Sequence, residues 1–179
     1  CEETRRLTVY HQAEGRRLFD FEVTFFASEG AVQFGDTKEG GIIALRVATS
    51  MEASGAGSIT NSYGALTEEE CWGRRAQWCD YSGPVDGKVA GISIMDNFGN
   101  FRFPTYWHVR KYGMYTTNPF GLHDYSNDPT VDGSHMLPAG QELRFKYRVY
   151  IHRGDALQAQ TAERYHDFVN PPQVEVVAD

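Results

Sequence analysis

The sequence lacks the features that mark membrane proteins, nucleic-acid-binding proteins and disulfide-rich domains. Its longest apolar stretches, at residues 42–45 and 91–95, are far shorter than the roughly 18 to 20 residues that cross a bilayer. No basic run exceeds an Arg-Arg pair, and 24 acidic against 17 basic residues give a net charge of −7, so nucleic acid is not expected as a partner. Of the three cysteines, Cys71 and Cys79 have no zinc or redox spacing, and we expect buried free thiols.

Internal repeats, low-complexity tracts, a signal peptide and an initiating methionine are also absent. The 179 residues fit one domain, which can bury about two-thirds of the surface that its unfolded chain exposes. A start at Cys1 is expected of a processed product or of a piece of a longer chain, and a lipid-modified cysteine is an alternative. We therefore predict a single domain over residues 1–179.

Alternation of apolar and polar residues predicts antiparallel strands. It is strictest at Phe19, Phe21, Val23 and Phe25 and at Phe145, Tyr147, Val149 and Ile151. Further strands are predicted at residues 7–10, 31–34, 41–48, 57–61, 74–81, 88–96 and 112–117. Polar or glycine-containing segments at 12–16 and 82–87 predict two hairpins. Many short strands separated by turn residues indicate an all-β protein, an antiparallel β-sandwich.

Two segments depart from the strand pattern. Residues 122–140 are rich in glycine, proline, aspartate and asparagine without any period, which predicts a long surface loop. From Asp155 the apolar residues recur at helical spacing up to Pro171-Pro172, which predicts one C-terminal helix with Asp155 as its N-cap.

The segment Tyr106–Gly113 is the strongest chemical signal. If it is extended, then Tyr106, His108, Arg110 and Tyr112 share one face. Such a face suits a polar ligand, because aromatic rings stack on sugar C–H groups while His108 and Arg110 hydrogen-bond hydroxyls or a carboxylate. The alternative is structural: Arg110 pairs with a nearby carboxylate, and His108 bonds a backbone carbonyl and holds a loop in place.

A second candidate is the glycine-framed segment Gly35–Gly41. Asp36 or Glu39 could act as a general acid or base there, with Lys38 tuning the pKa of the carboxyl group. Glycines permit a ligand to approach the backbone closely. The alternative is an ordinary solvated turn between two strands.

Three further possibilities carry weaker signals. Residues 72–81 offer Asp80 as a polar partner, and an ion pair between Asp80 and Arg74 or Arg75 is the structural alternative. His108, His123 and His135 could form a metal site only if distant spacings converge, so no metal or cofactor is predicted. A serine nucleophile is not expected either, because the sequence has no Gly-x-Ser-x-Gly motif.

Four blocks, in this order, resemble a bacterial family commonly labelled "PmoA family" or "methane oxygenase": residues 34–41, 59–64, 72–83, and 107–113 with 117–121. The resemblance covers essentially the whole chain. Methane oxidation is not predicted, because the oxygenase subunit of that name is an integral membrane protein and this sequence has no spanning segment. The resemblance implies a β-sandwich of the galactose-mutarotase-like kind from bacterial carbohydrate metabolism, lacking the N-terminal portion that family members usually have.

The leading hypothesis is a protein that binds, or acts by acid–base chemistry on, a sugar or sugar acid. His108, Glu39 and Asp36 are the predicted catalytic residues. The predicted substrate-binding residues are Lys38, Asp80, Tyr106, Arg110, Tyr112 and Asn118. The alternatives are a non-catalytic binding or assembly module that pairs through an exposed sheet edge with a second copy or with the missing N-terminal portion, and a metal-dependent enzyme that uses the histidines.

Overall fold

A computed structural model describes residues 1–172 and residue 175; the rest of the predicted domain lies outside the described residues. The strands are β1 (Glu2–Tyr10), β2 (Arg17–Phe26), β3 (Val32–Phe34), β4 (Ala44–Arg46), β5 (Ser58–Asn61), β6 (Trp78–Val85), β7 (Lys88–Asp96), β8 (Tyr106–Val109), β9 (Met114–Asn118), β10 (His135–Leu137) and β11 (Glu142–Arg153). The helices are α1 (Glu68–Cys71), α2 (Leu122–Ser126) and α3 (Thr161–Val169), and a 3-10 turn spans Thr49–Met51.

The strands form antiparallel sheets, which confirms the predicted all-β sandwich. The large sheet has the order β1-β2-β11-β7-β6-β5. A three-stranded sheet, β4-β9-β8, and the pair β10-β3 supply the second layer. No helix among the described residues is long and apolar enough to span a membrane.

The alternation in β2 and β11 works as predicted. Phe145, Tyr147 and Val149 enter the main core, where they meet Trp107 and Tyr115 of the smaller sheet. The opposite face of the large sheet is covered in part by α3, whose Phe168 belongs to a smaller apolar cluster with Met95 and Tyr150. The protein is therefore layered as small sheets, large sheet and one C-terminal helix.

Both predicted hairpins are present, at β1–β2 and at β6–β7. In the second, β6 continues through Pro84 to Val85, so only Asp86 and Gly87 form the turn. Their φ angles of 49° and 75° are those of a tight two-residue turn that matches the twist of the strands. The buried thiols of Cys71 and Cys79 are free, as expected, whereas the free thiol of Cys1 is exposed.

Several predicted boundaries were wrong. Residues 41–48 contain only the short β4, and the strand predicted from residue 74 begins at Trp78. The supposed loop 122–140 contains α2 and β10. The C-terminal helix begins at Thr161, because the Asp155 carboxylate accepts the Gln158 N–H at 2.8 Å and closes a separate turn before it.

Candidate functional site

Residues from four separate segments meet around one imidazole, and we call this group the His108 cluster: His108, Lys38, Glu39, Trp72, Tyr106 and Tyr125. Tyr106 and His108 alternate with Trp107 and Val109 along β8. Because Trp107 and Val109 point into the main core, Tyr106 and His108 lie on the outer face of the small sheet.

His108 is only 3% exposed, and its Nδ1 lies 2.7 Å from the carbonyl oxygen of Lys38. A carbonyl can only accept, so Nδ1 carries the proton and donates it. Burial lowers the pKa of His108, an effect that the Glu39 carboxylate opposes and the Arg110 charge reinforces. The imidazole is thus neutral at pH 7, with the lone pair on Nε2, which makes no hydrogen bond to any described residue.

Tyr125 of α2 lies at the centre of the cluster and contacts Lys38, Tyr106 and Trp72. Its hydroxyl donates to the Lys38 carbonyl at 3.2 Å and accepts from the Asn118 amide at 3.0 Å. Its ring stacks on Tyr106 at 5.5 Å and meets Trp72 edge-on at 5.3 Å. Burial raises the pKa of Tyr125 well above its usual value, so it remains a phenol.

Glycines bring the backbone against this ring. A Cβ on Gly121 would lie 2.6 Å from the Tyr125 ring, so no larger residue fits there without movement. Gly73 has a φ of +65°, and its Cβ position is 3.2 Å from the same ring. The inner side of the cluster is therefore tightly packed. On its outer side Trp72 and Tyr106 are partly exposed, and Glu39 is exposed.

The structure brings Lys38, Glu39, Tyr106, His108 and Asn118 together. Lys38 Nζ also pairs with Asp124 at 3.6 Å. Asn118 is fully buried and donates to the Thr37 carbonyl at 2.8 Å, while its own oxygen accepts the Phe120 N–H at 2.9 Å. Asn118 therefore fixes the glycine-framed turn against β9, and its polar atoms are not directed at a ligand.

Arg110 and Tyr112 lie beyond the end of β8, which carries Tyr106 and His108. The strand ends at Val109, because the Arg110 N–H bonds the Met114 carbonyl at 2.7 Å and Gly113 adopts a φ of +88°. Arg110 Nε lies 3.2 Å from the Glu68 carboxylate, and its guanidinium lies 5.7 Å from the Tyr112 ring. Arg110 thus pairs with a nearby carboxylate and His108 bonds a backbone carbonyl, which are the contacts expected if both residues hold loops in place.

The Asp36 carboxylate is bound by backbone groups of the segment after β9. Its Oδ2 accepts the backbone N–H groups of His123 at 3.0 Å and Gly133 at 2.5 Å. These two bonds hold the segment after β9, which leaves Glu39 as the carboxylate beside the imidazole.

Asp80 is far from the predicted cleft. It alternates with Cys79 and Tyr81, which face the main core, so it lies on the α3 side of the large sheet and is completely buried. The structural alternative, an ion pair of Asp80 with Arg74 or Arg75, is not found among the described residues, because Asp80 pairs with His152 and Arg75 donates to the carbonyls of Phe103 and Pro104, both at 2.8 Å.

Asp80 belongs instead to a buried polar cluster that the sequence did not reveal. Its Oδ2 accepts from Ser93 at 2.6 Å and lies 2.8 Å from Nε2 of His152, while Ser93 also contacts Thr161 at 3.1 Å. Ser93 and Asp80 meet the same ring nitrogen, and none of the four residues is more than 2% exposed. The cluster fastens the start of α3 to the sheet and offers no accessible nucleophile. Its only sequence signal was the polar residues within otherwise apolar strands.

The three histidines considered for a metal site are not grouped. The His135 ring packs at a tilt against the Phe101 ring with the centroids 4.4 Å apart, and His123 is exposed on α2. Within residues 1–172 and 175, no three His, Cys, Asp or Glu side chains are placed to hold a metal ion.

The best-defined clefts among the described residues are lined by side chains other than His108, Glu39 and Asp36. The most apolar of them, with a volume of about 600 Å³, lies between β5 and the start of α3. The His108 cluster is accordingly a shallow surface of aromatic edges and charged groups.

Comparison with known proteins gives one match. A model of a family of unknown function covers residues 1–167, and nothing in that match links the chain to a methane oxygenase. No curated protein matches the chain. No solved structure matches it either.

Proposed function

The chain belongs to DUF6807, a family of unknown function, and on that premise we propose that it binds a sugar or sugar acid at the His108 cluster. The observation that carries the proposal is the convergence of four distant segments on a neutral imidazole whose Nε2 makes no hydrogen bond to a described residue. Partly exposed Trp72 and Tyr106 rings border it, together with the Lys38 amine and the Glu39 carboxylate.

Each of these groups suits a carbohydrate. The exposed parts of the Trp72 and Tyr106 rings offer apolar contact to the C–H groups of a pyranose ring, and the lone pair of Nε2 accepts a hydrogen bond from a hydroxyl group. The Glu39 carboxylate accepts further hydroxyl bonds, and the Lys38 amine donates to ring oxygens or to an acidic substituent. A shallow surface of this kind suits binding of an exposed sugar residue better than enclosure of a free small molecule.

A catalytic form of the proposal rests on the same imidazole. With Nδ1–H committed to the Lys38 carbonyl, Nε2 is the basic position, and Glu39 is the adjacent carboxylate that could return a proton. Asp36 has no part in it, because both of its strong contacts are to backbone N–H groups.

The test is a glycan and sugar-acid binding screen with the wild type, His108→Ala and Glu39→Gln. We expect both variants to weaken binding of the same ligand by about fivefold to tenfold, the effect of one lost hydrogen bond. Glu39 is exposed, and its side chain makes no hydrogen bond to a described residue, so Glu39→Gln reports on the ligand without disturbing the fold. An exposed histidine remote from the cluster supplies the control, His11→Ala, which should bind like the wild type.

Two outcomes would contradict the proposal. One is a wild type that binds nothing in the screen, and the other is a ligand whose affinity is unchanged in both variants. Incubation of any bound sugar with the wild type, followed by analysis of the products, separates binding from the catalytic form, since only the latter predicts turnover that His108→Ala abolishes.

A further inference from the structure

The free edge of the large sheet is long and uncovered. β1 is the terminal strand of the six, and all nine of its residues are exposed. Its outer side meets no other strand among the described residues, so it presents a row of N–H and C=O groups that a further strand could pair with. Proline, a bulge or a covering helix, which commonly protect such edges, are absent from β1 within the described part of the chain.

The charges of β1 are complementary to themselves. The strand begins Glu2-Glu3-Thr4-Arg5-Arg6, in which the charges on the two sides of Thr4 are opposite in sign. If two copies pair antiparallel with Thr4 opposite Thr4, every glutamate of this segment faces an arginine of the other copy. A shift of one residue brings Thr4 opposite a charge and halves the number of matched pairs, so the pattern specifies one register.

A row of alternating charges runs across the sheet and ends at Arg6 of β1. In register, Lys146 of β11 lies opposite Glu22 of β2, which lies opposite Arg6 of β1. Lys146 Nζ is 3.4 Å and Arg6 Nη1 is 3.8 Å from the Glu22 carboxylate, so the signs alternate outward to the edge. In the register centred on Thr4, the next residue in the row is Glu2 of the second copy. The alternation therefore continues across the boundary.

The charges on the other face of β1 also match in the register centred on Thr4. Glu3 and Arg5 already form an ion pair within the strand. Two copies in this register place Glu3 and Arg5 of one strand opposite Arg5 and Glu3 of the other, which makes a square of alternating charges. Both faces of the strand thus favour one arrangement.

We propose that β1 pairs with β1 of a second copy of this chain, antiparallel and with Thr4 on the two-fold axis. The axis is perpendicular to the sheet, because opposite residues must point to the same side. The two large sheets then become one continuous sheet, and the interface is closed and isologous. Only one short strand from each copy is buried, so the dimer is weak and depends on concentration.

The test is sedimentation of the 179-residue chain over a range of protein concentrations reaching about 1 mM, where an interface of this size associates. We expect the mass to approach that of a dimer. Arg5→Glu with Arg6→Glu, or Glu2→Arg with Glu3→Arg, puts like charges opposite each other and should leave monomers at all concentrations. A mixture of these two variants should associate, and the variant with all four substitutions should regain dimerisation, because its β1 pattern is again self-complementary.

The matched control is Arg16→Glu with Arg17→Glu, which makes the same charge change at exposed positions outside the motif and should remain dimeric. Thermal melting shows whether each variant is folded. If the substitutions at Arg5 and Arg6 disturb Glu22, the substitutions at the exposed Glu2 and Glu3 provide the second variant. A wild type that is monomeric throughout overturns the proposal. So does a dimer that survives both charge reversals, or reversed variants that do not associate when mixed.

Discussion

Asp96 shows how burial changes a single residue. Its side chain is completely buried, with one oxygen 2.7 Å from the Asn100 amide and the other 2.7 Å from the Thr105 N–H. Burial raises the pKa of Asp96 from 3.8 to about 7, although both hydrogen bonds act in the opposite direction. The folded protein therefore holds a proton on this group in a pH range where the unfolded chain has lost it.

This difference predicts a pH dependence of stability. The folded pKa is raised, so the contribution of Asp96 is greatest below pH 4 and falls as the pH rises to about 7, by at most ~1.4 kcal/mol per pH unit. Asp96→Asn does not titrate. Its free energy of unfolding relative to the wild type should therefore rise between pH 4 and pH 7 and then level off, as measured by urea denaturation. If the difference in the free energy of unfolding between Asp96→Asn and the wild type is constant over this range, the raised pKa of Asp96 is contradicted.

At the candidate site, the sequence predicted which residues lie together better than it predicted what they contact. His108, Lys38, Glu39 and Tyr106 are predicted site residues, and the structure places them in one cluster. Tyr125 was missed, because it lies in a segment without any period and its partners are far away in the chain. Asp80 was misplaced because alternation tells which residues share a face of a strand and does not tell which face will be covered by a helix.

At the scale of elements, the turn between β6 and β7 depends on its backbone conformation. Gly87 has a φ of +75°, and nothing lies within 4 Å of the position that a Cβ would take. Gly87→Ala therefore adds no clash and tests the left-handed conformation alone, with an expected cost of about 1 kcal/mol in the free energy of unfolding.

Gly35→Ala is the control for this measurement. Gly35 also has open space around it, and its φ is not positive, so the same substitution should change the stability by less than about 0.5 kcal/mol. Equal effects in chemical denaturation of the two variants would show that the turn conformation is not the cause.

The elements with strict alternation were predicted well, and the ones fixed by distant contacts were not. β2 and β11 show their pattern because one face of each enters the core. β4 is shorter than its apolar run, because the Ile42 N–H bonds the Thr117 carbonyl and the Thr117 N–H bonds the Ile43 carbonyl, so two residues face one before regular pairing begins at Ala44. No pattern within residues 41–48 records those contacts.

Over the whole molecule, the second layer covers only part of the large sheet. Val9, Phe19 and Val149 are aligned across β1, β2 and β11 on the core face. Yet Val149 is 1% exposed and Val9 is 67% exposed, because the smaller sheets do not extend over β1. The sandwich is therefore asymmetric, with Leu7 and Val9 outside its core.

The aligned valines make a matched pair. Val149→Ala leaves a cavity and should lower the free energy of unfolding by about 2 kcal/mol or more, whereas Val9→Ala should change it by less than about 0.5 kcal/mol. Denaturation should be measured at a protein concentration low enough to keep the chain monomeric. Comparable losses in the two variants would mean that a covering layer reaches β1.

The position of β11 has a consequence for how the chain acquires its structure. This strand is the last of the described chain, yet it lies between β2 and β7, with partners as distant as Arg17 and Ala90. During synthesis, the N-terminal hairpin and the β6–β7 hairpin emerge long before the strand that joins them, and pairing over such distances is slow. Until β11 leaves the ribosome, the apolar faces of both hairpins are without their central neighbour, and that interval is when the nascent chain is most exposed to aggregation and to chaperones.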